Sequence, residues 1–323
     1  GHIVSPRGVE TIEISPAIHI VENPEKRLCT VPGRKANPFF NLAENMWIIA
    51  GFGESEWVCS FNNKLKEYQL DEGFDDFSAP YGRRIRAYNK HRTGQTHIMT
   101  NPYNGVMIGT LPKIDQLLHC YSILKKDKYS RHAVVTLWNP LFDNYNVVTK
   151  DRPCNTTIYF KIRTGEDGKD YLNMTVSNRS NDIHLGLYGV NFVQFSHIQE
   201  FMAASLNVGI GKYTHLSDSL HIYTSSQHTD NILNSKYEFD VYDYVGSKIL
   251  TYDHVNSIKE YAGGAPGLGD FLILSNQIID ESKNFRKFIL EDNYENMKYI
   301  FKFCSCDYSR SFSLYLFQSL CKL

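Results

Sequence analysis

An α+β fold, a mixed domain of helices and sheet, is predicted by three observations. Apolar residues recur at helical spacing in separate segments, others alternate with period two on either side of a glycine-bounded turn, and 42% of the 323 residues are hydrophobic. A chain of that size buries a substantial core, which excludes a disordered polypeptide or a small stapled scaffold.

Within residues 38–50, Phe39, Ala43, Met46, Trp47 and Ala50 fall at steps of three and four, the pattern of a helix with one apolar stripe. Glu44 lies in that helix, where a carboxylate is either solvent-facing or serves a polar cavity. Ile114, Leu117, Leu118, Tyr121 and Leu124 repeat the spacing, and Lys125-Lys126-Asp127-Lys128 gives this second helix a charged end. Residues 133–138 read as a strand. In residues 156–163, Ile158, Phe160 and Ile162 share one side; Gly165-Glu166-Asp167-Gly168 makes a turn; Leu172, Met174 and Val176 then alternate through residues 171–177. This is a hairpin, with Cys154 starting its first strand and Arg179 ending its second. Phe192, Phe195, Ile198, Met202 and Leu206 predict a long helix over residues 191–206, closed by Gly209. The glycine-dense residues 263–269 lack the Lys-Ser/Thr pair or strand-glycine-helix context of a phosphate cradle and read as a loop.

Charge is balanced, with 34 Lys and Arg against 35 Asp and Glu, so a dedicated nucleic-acid binder is disfavoured. No run of about 18 apolar residues is present and the first residues carry no apolar signal core, so neither a membrane nor a secretory destination is expected. The seven cysteines are odd in number and scattered, the usage of reduced thiols in a cytoplasm. No metal is called for.

A cysteine at a strand start is ordinarily a small buried hydrophobe. Here Asp151-Arg152-Pro153-Cys154 sets a thiol directly after a proline, and Arg179-Ser180-Asn181-Asp182 ends the same hairpin, where a guanidinium favours thiolate.

The ordered combination resembles thymidylate synthase and its pyrimidine-nucleotide hydroxymethylase relatives. Residues 179–187 (Arg-Ser-Asn-Asp-Ile-His-Leu-Gly-Leu) are followed by Asn191, with Pro153-Cys154 upstream and His221-Ile222-Tyr223 downstream. Glu44-Asn45-Met46-Trp47 is similar to the family's Glu-x-x-Trp helix, residues 81–86 to its Tyr-Gly-x-x-x-Arg segment, and residues 130–139 to its Ser-Arg-Arg strand ending in Trp-Asn. The likeness runs from Arg7 to Tyr223. It implies a thymidylate-synthase-like fold with one sheet face at a homodimer interface, a catalytic core over residues 1–235, and a divergent C-terminal extension over 236–323 packed on the same domain.

The resemblance also implies the chemistry. A pyrimidine is too electron-poor at C5 to attack a one-carbon donor, so Cys154 would add to C6, and 5,10-methylenetetrahydrofolate would supply the carbon. Glu44, through ordered water, and Tyr81 would transfer protons, with Asn139 ordering that water. Arg179, Ser180 and Arg7 would hold the nucleotide phosphate. Arg131 would reach the site of the opposite subunit, next to His132 in the second arginine's place. His221 and Tyr223 would bind the sugar 3′-hydroxyl, and Asp182 the folate pterin. Asn191 would read the base: its amide suits uracil or, flipped, cytosine. Family precedent favours uracil, because the deoxycytidylate hydroxymethylases carry aspartate there; ribose and deoxyribose are both compatible.

Three departures from the synthases concern the product. Residues 65–80 contain no Trp, Asn155 follows Cys154 where histidine is usual, and the chain ends Ser319-Leu320-Cys321-Lys322-Leu323 instead of in a small closing tail. Each favours entry of water, and water capture of the transferred carbon gives hydroxymethyl in place of methyl. The expectation is a soluble pyrimidine-nucleotide hydroxymethylase of the cytoplasm, with a divergent thymidylate synthase or a non-catalytic nucleotide-binding homologue as alternatives. No nucleic-acid partner is expected.

Overall fold

The computed structural model describes residues 1–27, 29, 38–69, 77–88, 98–100, 107–110, 113–144, 151–226, 229–231 and 234. Residues 263–269, the C-terminal pentapeptide and the extension from 236 lie outside them. The strands are β1 His2–Val4, β2 Thr11–Ile14, β3 Ala17–Val21, β4 Ile98–Thr100, β5 Met107–Thr110, β6 Val134–Thr136, β7 Asn155–Thr164, β8 Asp170–Asn178, β9 Asn181–Asp182, β10 Gly209–Ser217 and β11 Leu220–Tyr223. The helices are α1 Pro38–Ile49, α2 Ser55–Phe61, α3 Tyr81–Arg86, α4 Gln116–Lys126, α5 Pro140–Asp143 and α6 Val190–Leu206.

The long hairpin β7–β8 anchors a five-stranded mixed sheet of order β3-β10-β8-β7-β6. Period two sends Ile158, Phe160, Ile162, Leu172, Met174 and Val176 to one face, all buried. Helix α6 covers that face and is itself buried along nearly its whole length, packing on α1 as well as on β8 and β10. The opposite face stays open at its edge strand, where Ile18 and Ile20 are 69% and 54% exposed. A smaller sheet, β1-β2-β11-β9, closes the end at which the hairpin strands terminate.

The predicted helices and hairpin are present, with two adjustments. Strand β6 keeps only three residues, because Leu137 and Trp138 turn their N–H groups onto Thr156 O. Helix α6 is closed by Asn207 and not by Gly209. Asn207 takes the left-handed conformation at φ 59°, and its N–H and that of Val208 bond back to the last turn, while Gly209 already begins β10.

One glycine sets the position of α3. A Cβ on Gly82 would lie 2.8 Å from Phe52 O and 2.9 Å from Ile48 O, so only glycine lets α3 lie against the end of α1. That contact brings Tyr81 over the hairpin mouth.

Candidate active site

Cys154 immediately precedes β7 and Arg179 immediately follows β8. The pair Asn155↔Asn178 and the bond from Arg179 N to Cys154 O at 3.0 Å hold them side by side. The Arg179 guanidinium is fixed by its Nε donating to Pro153 O at 3.0 Å and by the Trp138 ring, 5.7 Å from its carbon. One terminal nitrogen stands 4.0 Å from Cys154 Sγ. The arginine is therefore where the sequence places it, yet burial outweighs it and pushes the Cys154 thiol up. Arg179 and Arg7 pull the other way, while Asp151 and Asp182 add to the rise. Arg7 sits in a tight turn at φ 56°, in the left-handed region.

Tyr81 faces the nucleophile directly. Its phenolic oxygen accepts N–H bonds from Cys154 and Asn155, both at 3.2 Å, and its ring meets Phe195 edge-on at 5.3 Å. Burial and the neighbouring Cys154 raise its pKa, so the hydroxyl stays protonated. With its acceptor side taken, the O–H is left to point at a ligand.

Glu44 is turned inward, which decides between its two readings. Gln194 of α6 hydrogen-bonds its carboxyl, Oε2 is buried without a hydrogen-bond partner among the described residues, and burial pushes the acid up to about 8. A carboxyl poised there accepts and releases protons near neutrality.

Asn139 is buried and donates its N–H to Asp143 Oδ2 at 2.6 Å. Asp143 also takes both terminal nitrogens of Arg84, at 3.0 and 2.9 Å, and Arg84 reaches Leu137 O at 3.1 Å. This buried fork pins the Trp138-Asn139 corner. Arg131 and His132 are exposed and do not join the site of their own chain. Strand β6 climbs β7 from Thr157 to Tyr159, away from Cys154, and Arg131 lies beyond it.

Asp182 caps the π-helical turn Ile183–Leu187, its Oδ1 accepting from His184 N at 2.7 Å and Leu185 N at 2.6 Å. Its other oxygen makes no hydrogen bond among the described residues, which leaves an acceptor for a planar donor array such as a pterin. Parallel pairing of β9 with β11 sets His221 beside Asp182. His221 is buried, with Ser219 Oγ 3.3 Å from its Nδ1 and Tyr223 edge-on at 5.5 Å, so the His-x-Tyr pair is no ordinary surface strand. Ser180 is half-buried in the bend after Arg179, and Asn191 lies in the first turn of α6, its side chain making no hydrogen bond to a described residue.

The structure thus gathers Cys154, Arg179, Ser180, Tyr81, Asp182, His221 and Tyr223 around the hairpin mouth. Glu44 is turned inward from α1 against Gln194 of α6, Asn191 lies in the first turn of α6, and the charge of Arg7 acts on both Cys154 and Tyr223. Three supports escape the sequence reading: Gln194, Asp143 and Asp151, whose Oδ2 accepts from Ala79 N at 2.8 Å. Gln194 is one of several polar residues in α6, with Ser196, His197, Gln199 and Glu200, and no signal in the sequence sets it apart. Among the described residues no group of His, Cys, Asp and Glu is placed to hold a metal ion, and no helix is long and apolar enough to cross a membrane. Among the described residues Cys29, Cys120 and Cys154 form no disulfide.

Comparison with known proteins gives the family. Residues 7–294 match the family model for thymidylate synthase, which reaches beyond Tyr223. The chain is 40% identical over 223 residues to a deoxyuridylate hydroxymethyltransferase of Bacillus phage SP01, covering 69% of this chain and 53% of that protein. It is 33% identical over 208 residues to a deoxyuridylate hydroxymethyltransferase of Pseudomonas phage M6, covering 64% and 51%. A thymidylate synthase of Lactococcus lactis subsp. lactis is 29% identical over 100 residues, covering 31% of this chain and 35% of that protein. The chain spans about half the length of the two hydroxymethyltransferases it matches.

Proposed function

Since the chain belongs to the thymidylate synthase family, we propose that it transfers a one-carbon unit to C5 of deoxyuridylate, where water captures it as a hydroxymethyl group. The observation that carries the reading is the hairpin mouth, where Cys154, the Tyr81 hydroxyl and the Arg179 guanidinium converge; the inward-turned carboxyl of Glu44, bonded to Gln194 of α6, supports it.

Cys154 adds to C6 of the pyrimidine, which makes C5 nucleophilic. 5,10-Methylenetetrahydrofolate supplies the carbon when bound, and the open oxygen of Asp182 suits its pterin. Arg179, Ser180 and Arg7 hold the phosphate, His221 and Tyr223 the 3′-hydroxyl, and Asn191 the base. Tyr81, its oxygen fixed by two amides, presents its O–H to the water that takes the proton from C5; Glu44, protonated at neutral pH, moves protons through water ordered beside Asn139. The absence of Trp from residues 65–80 and the presence of Asn155 after the nucleophile leave room for water to capture the carbon at C5. The names of the relatives from phages SP01 and M6 support deoxyuridylate over the other pyrimidine nucleotides.

The second reading, methylation to thymidylate, is favoured by the family alone. Incubation with methylenetetrahydrofolate and each of dUMP, dCMP, UMP and CMP separates the two. A hydroxymethyl product of dUMP without dihydrofolate is expected; a methyl product with stoichiometric dihydrofolate overturns the choice, and no product from any of the four favours a binding homologue. Cys154→Ala abolishes turnover and spares nucleotide binding.

We assign a homodimer with shared sites. The open sheet face bearing Ile18 and Ile20, and the position of Arg131 away from its own Cys154, support it. Sedimentation showing an active monomer contradicts it. The odd number and scatter of the seven cysteines, with Cys29, Cys120 and Cys154 unbridged among the described residues, support a reducing, cytoplasmic setting, and we take residues 1–235 as the catalytic core with 236–323 as a divergent extension packed on the same domain.

A further inference from the structure

Behind Glu44, the contact between α1 and α6 holds a second polar group that none of the steps above uses. Asn45 donates from Nδ2 to His197 Nδ1 at 2.9 Å, and an Arg27 terminal nitrogen reaches the same ring nitrogen at 3.0 Å. That Arg27 nitrogen also pairs with Glu200 Oε2 at 2.5 Å, and Arg27 Nε donates to Pro24 O at 3.4 Å. Exposure is 2% at Asn45, 0% at His197, 6% at Arg27 and 2% at Glu200.

The protonation of this group follows from its donors. A guanidinium can only donate, so His197 Nδ1 must present its lone pair, and the ring is neutral with its hydrogen on Nε2. Val193 O, 3.2 Å from Nδ1, is then a close acceptor and not a bonded one. Burial and the Arg27 charge both hold the imidazolium form away. Glu200 is left as the counter-charge to Arg27.

The arrangement has a direction. Gln194, His197 and Glu200 follow at steps of three on α6; the first meets Glu44, the second Asn45, the third Arg27. Apolar side chains at 45 and 197 would join the two helices equally well, but would leave α1 free to rotate or slide by a fraction of a turn. Hydrogen bonds between named atoms fix both coordinates. Glu44, hydrogen-bonded to Gln194 and with Oε2 open among the described residues, depends on the setting of α1 for its aim.

We propose that Asn45, His197 and the Arg27–Glu200 pair are positioning residues, which lock α1 on α6 so that the free carboxyl oxygen of Glu44 points at the bound pyrimidine. The inference rests on the one-carbon-transfer reading for its rate assay, and a second measurement is independent of it.

The test is a double-mutant cycle on the full chain. His197→Leu lowers kcat roughly 10- to 100-fold, the range expected of a displaced catalytic group, with nucleotide KM changed less than about twofold. In a Glu44→Gln background the same substitution lowers kcat no further, because its effect passes through Glu44. His197→Gln, whose amide oxygen can accept from both Arg27 and Asn45, restores the rate to within about threefold of the parent. A full-sized loss in the Glu44→Gln background, or a glutamine variant as damaged as the leucine one, overturns the proposal. Asn45→Ala, which leaves the Arg27–Glu200 pair in place, takes the same cycle if the leucine variant does not fold. Independently of turnover, the ¹³C carboxyl signal of Glu44, assigned by difference with Glu44→Gln, should titrate lower in Asn45→Ala than in the parent as water reaches a loosened carboxyl. An unchanged midpoint overturns the proposal even if no pyrimidine nucleotide proves to be a substrate.

Discussion

Replacing Glu44 by glutamine should stabilise the protein increasingly as pH rises. The carboxyl titrates at an ordinary 4.5 when exposed and at about 8 in the fold, because burial disfavours its charged form. Between those values the folded chain holds a proton that the unfolded chain has lost. Stability is therefore full below pH 4.5 and falls as pH rises through the folded value. Each pH unit inside the window is worth about 1.4 kcal/mol, so the span from pH 6 to pH 8 removes roughly 2 to 3 kcal/mol. Glutamine keeps the shape and one hydrogen-bonding oxygen, and does not titrate. The buried neutral rings of His197 and His215 act in the opposite sense, gaining protons on unfolding in acid, but both proteins share them and the difference cancels them. Urea unfolding of both proteins at half-unit intervals from pH 5 to 9 measures the difference directly. The expected curve rises by about 1.4 kcal/mol per unit and flattens above pH 8. A difference independent of pH refutes the burial of Glu44 as an acid, and with it the proton-transfer role.

Three other expectations follow from single contacts. Alkylation of Cys154 by iodoacetamide should reach half its limiting rate above the ordinary thiol value of 9.0, and Arg179→Ala should move that midpoint further up; a midpoint below 9.0 contradicts the dominance of burial. Asp143→Ala strands the buried Arg84 guanidinium and should cost about 3 to 5 kcal/mol in urea unfolding, so a loss under about 1 kcal/mol would mean the fork is not a structural pin. Asp182→Asn keeps an oxygen for the cap and should leave stability nearly unchanged while raising folate KM on the order of tenfold; Asp182→Ala should also lose about 0.5 to 2 kcal/mol of stability, and a rise in nucleotide KM instead would displace Asp182 from the folate.

The sequence made the hairpin readable because two signals coincide there: period-two burial through β7 and β8, and glycines bounding the turn, of which Gly168 adopts φ 77°. It made Cys154 and Arg179 neighbours for the same reason. Helix α6 was legible in extent but not in its polar content. A helix buried on all sides offers no contrast between faces, so Gln194, His197 and Glu200 could not be told from chance polar residues in an apolar run. The orientation of Glu44 was undecidable for a related cause, since its partner Gln194 is distant in sequence. Strands β1, β2, β9 and β11 are too short to show alternation and exist only through their pairing. Asn207 in place of Gly209 reflects two residue types that both tolerate the left-handed cap, of which the earlier sufficed.

The hairpin mouth also determines where this chain can tolerate changes of length. Cys154 and Arg179 are brought together by strands of 10 and 9 residues counted from a common turn, with Gly165 N donating to Lys169 O at its neck. Residues added within that turn project into solvent and leave the register untouched. One residue added inside β7 or β8 reverses the facing of everything between it and the mouth, carrying the thiol or the guanidinium to the wrong side of the sheet. Insertions and deletions along this hairpin are thus confined to the tip farthest from the reaction, while the strands behave as a fixed ruler for the chemistry at their open end.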